Sequence, residues 1–362
     1  MGGKLLIVAV LAAALALLAL PLQVGAAPSA AYMRAEGTNP TITQKILAYD
    51  RMVTESRRVP DVLVLGSSRS VMIDPVHIRR VSGMTSFNAG ISNGAARELL
   101  ALTHYADLRS PGALPHLVIF LDLEAFDGRT PTVRVLDYQQ RIDAVKSACG
   151  EPTECRTPWL AAARAIARDA VARQAGGRPY TETQRPDGRQ INGNLQKWEA
   201  QGIDLDPIRA RRIQQRIDSY DTSFDRLYPE PQRAFEQLLE LANARDVQPV
   251  LVVTAMHPDC IRRCGVAGWT ARRAEVRAYL EELEQEFDLR WYDFSLPVTW
   301  GGSGAQFLDE IHLRDTGANL VVDRIEALGG FERPDAAIRE LWLAMVEFAC
   351  QELAVSCAAQ RT

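Results

Sequence analysis

The chain has 362 residues, 47% of them hydrophobic and 24% charged, enough to bury a sizeable core in one large or two average domains. Its formal net charge of −4 leaves no electrostatic footprint for nucleic acid, so no nucleic-acid partner is expected. The basic charge is carried almost wholly by arginine, with Lys4, Lys45, Lys146 and Lys197 as the lysines.

Residues 1–27 read as a signal peptide or an N-terminal membrane anchor. Lys4 precedes an unbroken apolar run over 5–20, and Gln23 is the one polar interruption between Pro21 and Ala27. That run exceeds a typical signal-peptide core and approaches the roughly 20 residues of a spanning helix. Val24-Gly25-Ala26 offers a small-residue cleavage site, whereas Pro21 and the polar stem over 28–60 suit a retained tether. Either way the rest of the chain is expected outside the cytoplasm, in the periplasm and held to the inner membrane by this helix, or secreted. Cysteine usage agrees. Cys149 and Cys155, Cys260 and Cys264, and Cys350 and Cys357 form three local pairs, which an oxidising compartment turns into three short disulfide loops. None of the spacings is Cys-x-x-Cys and no histidine completes a site, so neither metal nor cofactor is expected.

From Asp61 the pattern becomes an alternation. Residues 62–65 are a short apolar run ending at Gly66, as in a buried parallel strand. A helix follows over 74–80, a strand over 85–87, a helix over 94–108 and a fully apolar strand over 117–121. Over 127–229 the strand rhythm stops. Arginine, glutamine and alanine dominate, with helices expected over 159–174 and 208–217, and the stretch reads as a helical insertion or cap over the core. The alternation then resumes with a helix over 231–244, a strand over 249–253, a helix over 271–287, a strand over 289–294 and a helix over 316–328. A last helix over 336–353, within a C-terminal segment 331–362, carries an apolar stripe that packs on the domain. The whole predicts an α/β protein: a three-layer α/β/α sandwich around a central parallel sheet of flavodoxin-like type, spanning 61–330.

Open α/β sheets bind ligands beyond the carboxyl ends of their strands. The segments leaving those ends carry Ser67 and Ser68, the turn from Asn88 to Gly94, Asp122 and Glu124, His257, and the stretch around Asp309. A serine hydroxyl needs a positioned base, and that base needs a third group to orient it. His116 lies at the wrong end of a strand, and His104 lies within a helix. Two histidines follow an aspartate by three positions: Asp74 with His77, and Asp309 with His312. The first pair opens the helix leading away from Ser68 and reads as a helix N-terminus with a solvated imidazole. The second sits in a loop before the last helix of the sheet, which makes His312 the better base.

These pieces resemble the SGNH, or GDSL-like, hydrolase superfamily over 61–127 and 247–328. Gly66-Ser67-Ser68 stands where that family has Gly-Asp-Ser, so the resemblance makes Ser68 the nucleophile. Asp309-Glu310-Ile311-His312-Leu313 matches the family's last block and implies Asp309 and His312 as the partners of Ser68. Gly94 is the best match to the glycine whose amide helps form the oxyanion hole, with Gly90 and Asn93 as rivals. The asparagine of the family's third block has no counterpart: the strand ends in Leu121-Asp122-Leu123-Glu124. Loss of one such donor costs about 2.7–4 kcal/mol of transition-state stabilisation, which slows but does not abolish nucleophilic chemistry. Arg69, Asn88 and Asn93 are the candidate replacements. Asp122 either binds a sugar hydroxyl or orients a neighbour as a hydrogen-bonded strand-end aspartate. Arg69 either holds an anionic substrate or pairs with Asp122 or Glu124. His257 either lines the pocket or is a plain loop histidine before Pro258.

The resemblance implies a serine esterase or O-acyltransferase acting on a carbohydrate or other acyl ester. The anchor points to the membrane-tethered branch and to the cell envelope, with an envelope protein as a conceivable partner. The competing expectation is a non-catalytic SGNH-fold protein that binds polysaccharide or a partner enzyme; a Ser68 hydroxyl out of reach of His312 favours it. A nucleotide enzyme is disfavoured because the chain lacks a Walker loop and the glycine spacing of a dinucleotide site.

Overall fold

The computed structural model describes residues 59–110, 114–127, 185–190 and 201–332 apart from 223, together with Lys45, residues 48–53 and Glu199. The expected N-terminal anchor, the stem over most of its length, the insertion from 128 to 184 and the C-terminal helix lie outside them. So do Cys149, Cys155, Cys350 and Cys357. Among the described residues no helix is long and apolar enough to cross a membrane.

Five strands form one all-parallel sheet: β1 (Val62–Gly66), β2 (Ser86–Asn88), β3 (His116–Leu121), β4 (Val250–Val253) and β5 (Arg290–Asp293), in the spatial order β2-β1-β3-β4-β5. The first four are buried throughout, which is why β1, β4 and β3 after His116 read as continuous apolar runs. Alternate side chains serve two cores. Leu63, Leu65, Phe87, Leu117, Ile119, Leu251 and Val253 pack against α2 (Ala96–Arg109), α4 (Pro229–Asn243) and α6 (Thr270–Glu286). Val62, Val64, Val118, Phe120, Val250 and Val252 pack against α1 (Pro75–Ser82) and α7 (Asp315–Ala327). The result is the expected three-layer α/β/α sandwich.

In the alternating segments, predicted and observed elements agree to within about two residues. One element there departs from the expectation: Pro258 does not mark a loop but opens a short helix, α5 (Pro258–Cys264), with proline in its first turn. The disulfide expected between Cys260 and Cys264 is not formed: the two lie one helical turn apart on α5, buried, as free thiols with their sulfurs 2.8 Å apart.

The β2 edge is not open. The backbone N–H of Asn88 donates to the carbonyl of Asp187 at 2.9 Å, and Lys45 Nζ donates to the carbonyls of Asn88 and Gly188. Gly188 has φ 82°, and a Cβ there would stand 2.2 Å from the Asn88 carbonyl oxygen, so the close approach requires glycine. The remaining described helix, α3 (Asp206–Thr222), is the one expected over 208–217 and runs beyond that range at both ends. Its Leu205 and Ile208 end packs on Leu308, and Ile213 and Tyr220 join the larger core.

Candidate active site

The sheet order turns back between β1 and β3, and the segments that leave their carboxyl ends diverge there. The turn that carries Ser67 and Ser68 follows β1. Gly66 has φ 146°, and a Cβ there would stand 2.6 Å from the Phe120 carbonyl oxygen, so only glycine lets the chain turn this close to β3. The Ser67 carbonyl then accepts both the N–H and the hydroxyl of Ser70, at 3.0 and 2.8 Å. Ser67 itself is buried and its hydroxyl accepts the Arg69 amide, whereas Ser68 is half-buried. The two serines are thereby separated into a structural one and an accessible one.

The loop from Asp309 to His312 is closed by an antiparallel bridge between Phe307 and Leu313 and by the Leu308 N–H donating to the His312 carbonyl at 2.8 Å. Within it Asp309 Oδ1 accepts the amides of Ile311 and His312, at 3.0 and 2.7 Å, so the carboxylate folds the loop around itself. Its other oxygen, Oδ2, is 2.7 Å from His312 Nδ1, and His312 Nε2 is 2.9 Å from Ser68 Oγ. Asp309 is fully buried and His312 nearly so. Burial by itself pushes the Asp309 carboxyl up. The hydrogen bond and charge of His312, with the two amides, outweigh it and bring the group down to about 2.

Other histidines fall elsewhere. Asp74 caps α1 as expected, its carboxylate accepting the Val76 amide. The His77 imidazole, however, is buried and paired with Asp323 on α7 at 2.6 Å, not solvated. His116 meets the Gly330 carbonyl at the amino end of the sheet, and His104 is exposed on α2. His257 is neither a plain loop residue nor a free pocket group. It is the N-cap of α5, with Nδ1 accepting the Asp259 amide at 3.1 Å and its ring edge-on to Phe307. Burial, and then the charge of Arg209, lower its pKa, so it stands as a neutral cap at pH 7.

Among the candidates for the oxyanion hole, the structure narrows the choice. Asn88 is committed at both ends of its amide: Nδ2 donates to the carbonyls of Ser70 and Ile73, and Oδ1 accepts the Gly90 amide. It is a buried brace and not a replacement donor. Gly94 does lie against the turn that carries Ser68, since a Cβ on it would stand 2.8 Å from the Gly66 carbonyl oxygen. Its amide, though, is used by the Ile91 carbonyl at 3.1 Å. Asn93 is exposed with φ 54°, and neither its amide nor that of Ser68 has a partner among the described residues.

Arg69 points into the protein instead of holding a substrate. Its guanidinium is bidentate to Glu124 at 3.0 and 2.9 Å, donates to Thr254 Oγ1 at 3.0 Å and lies 3.5 Å from Asp122. Asp122 accepts the Thr254 hydroxyl at 2.7 Å, the strand-end role. Glu124 also takes Arg216 and the Tyr220 hydroxyl, and Arg216 reaches on to Glu310. Burial pushes the Glu124 carboxyl up, but the two arginines outweigh it and hold it at about 2. Sequence reasoning missed Arg216 and Arg212, whose guanidinium donates to Asp309 Oδ2. The signal was present in the spacing of Arg209, Arg212, Arg216 and Tyr220, which places all four on one face of α3.

Both depressed carboxyls make stability depend on acidity. Each contributes stability that is complete above its unfolded value, 4.5 for Glu124 and 3.8 for Asp309, and that is lost as pH falls through about 2. For Asp309 the contribution is about 2 kcal/mol. Urea midpoints are expected to fall most steeply below about pH 5, with a shallower fall there in Glu124→Gln. Identical acid profiles for the variant and the wild type would contradict the assignment.

Comparison of the sequence with protein-family models and with curated proteins gives no match.

Proposed function

We propose that this chain is an extracytoplasmic serine esterase or O-acyltransferase of the SGNH type. Its substrates are acyl esters, foremost acetyl esters, of cell-envelope or extracellular carbohydrate. The observation that carries this reading is the continuous chain Ser68 Oγ–His312 Nε2, His312 Nδ1–Asp309 Oδ2, at 2.9 and 2.7 Å, with Ser68 the accessible serine of its turn. Heavy-atom spacings of this size are what proton transfer between nucleophile and base requires.

In this mechanism Ser68 Oγ attacks the acyl carbon while His312 Nε2 takes its proton. Asp309 holds the Nδ1 proton in place and offsets the imidazolium charge. The tetrahedral oxyanion is received by the Ser68 amide, with Asn93 as the uncommitted candidate for a second donor. Collapse breaks the bond to the leaving alcohol, which departs with the proton from His312 and leaves acyl-Ser68. Water as the second nucleophile gives an esterase, and a sugar hydroxyl gives an acyltransferase; His312 deprotonates either one as it attacks the acyl carbon, then returns the proton to Ser68 Oγ as the acyl–Ser68 bond breaks. The apolar N-terminus and the stem support placement at the outer face of the inner membrane.

The test is labelling of the purified full-length protein with a fluorophosphonate probe, alongside Ser68→Ala and His312→Ala. Labelling of the wild type and loss in both variants is the expected result. One observation favours a second reading, a binding protein of the same fold: the Gly94 amide is committed within its own turn, and no asparagine follows β3. A folded wild type that does not label would replace the enzyme reading with that one.

A further inference from the structure

We propose that Arg212 is a positioning residue for the triad, a permanent counter-charge that lets Asp309 stay ionised while His312 rests as a neutral base. The inference builds on the reading of Ser68, His312 and Asp309 as a triad.

Asp309 receives four donors: two loop amides at Oδ1, and His312 Nδ1 together with Arg212 at Oδ2. The amides are neutral and the imidazole carries charge only when protonated, so Arg212 is the one permanent positive charge in contact with this fully buried carboxylate among the described residues. A buried carboxylate without a cation is costly, and the nearest way to relieve it is a proton on His312, which would remove the base. A guanidinium on the same oxygen removes that drive without spending the imidazole.

The neighbouring charges are committed elsewhere. Arg209 pairs with Asp206, Arg216 with Glu124 and Glu310, and His257 caps α5. Arg212 has Asp309 as its partner among the described residues, and 31% of its side chain remains exposed. The helix that carries it is seated beside the same loop, since Leu205 and Ile208 pack on Leu308, the residue before Asp309. The orientation of the triad acid is therefore tied to the docking of α3.

The experiment compares the full-length wild type with Arg212→Met, Arg212→Lys and, as a control on the opposite, exposed face of α3, Arg211→Met. Two readouts are taken: kcat and KM for p-nitrophenyl acetate, and the far-downfield proton resonance of His312 Nδ1. Arg212→Met is expected to lower kcat by roughly 10- to 100-fold with KM within about twofold, and to shift or broaden the resonance. Arg212→Lys, which keeps the charge, is expected to recover most of both, and Arg211→Met to change neither. An unaltered resonance and kcat in Arg212→Met would overturn the proposal, as would a lysine variant as impaired as the methionine one. The resonance reports on Arg212 even if Ser68 proves unreactive, so failure of the enzyme reading and failure of this inference are distinguishable.

Discussion

Asp309→Asn is expected to lower kcat by about 10⁴-fold while leaving a folded protein, because a carboxamide cannot satisfy the donors gathered around this position. Oδ1 faces two amides, and Oδ2 faces His312 and Arg212. Whichever way the new side chain is turned, its NH2 meets two donors. Turned towards His312, it forces the imidazole proton onto Nε2, the nitrogen that must accept from Ser68. Turned the other way, it opens the 309–312 loop. Steady-state kinetics on a chromogenic acetyl ester, with fluorophosphonate labelling rates, provide the measurement. A loss of less than about tenfold would mean that Asp309 is not acting on the tautomer of His312.

Arg69→Met is expected to be the most destabilising single change near the site, at about 3–5 kcal/mol, because it strips a buried cation from acids that stay behind. Arg69 is 5% exposed, and its loss leaves Asp122 with Thr254 and Glu124 with Arg216 and Tyr220. Lysine is a poor substitute, since one ammonium cannot reproduce the bidentate pairing with Glu124 while also reaching Thr254. The urea midpoint should fall with little change in slope, and adding Glu124→Gln to Arg69→Met should restore part of the loss. A cost below about 1 kcal/mol would place the pair with ordinary surface bridges.

Much of this arrangement is legible in the amino-acid sequence. The strands announce themselves because a sheet covered on both faces needs apolar side chains at every position, as in residues 62–65 and 117–121. Asp309 and His312 can be singled out because a short loop before the last helix holds an aspartate and a histidine three positions apart, the spacing an aspartate needs to bond both the loop amides and the ring. The same spacing in Asp74 and His77 serves another purpose, and the difference lies in what each aspartate caps: a helix there, a loop here.

What sequence does not reveal is how donors and acceptors are shared out across the fold. Asn88 looks free to donate, but the carbonyls of Ser70 and Ile73 claim it. Arg69 stands beside the nucleophile in the chain, yet its guanidinium turns inward because Glu124 and Asp122 lie beneath it. Arg212 and Arg216 acquire meaning only once α3 packs beside Leu308 and brings them to Asp309 and Glu124, an arrangement that local pattern does not encode.

Ser68 and His312, the proposed nucleophile and base, are 244 positions apart in the chain. β1, β2 and β3, with the turn that holds Ser68, come from a compact early stretch, whereas His312 arrives only after β4, β5 and the 309–312 loop have docked. Pairings of such long range carry the largest loop-closure entropy and form late. On the proposed reading, the hydroxyl of Ser68 accordingly stays an ordinary alcohol until the tertiary structure that brings His312 to it is complete. For a polypeptide that reaches its place outside the cytoplasm before acting, as proposed for this one, that separation in sequence is its own safeguard against premature chemistry.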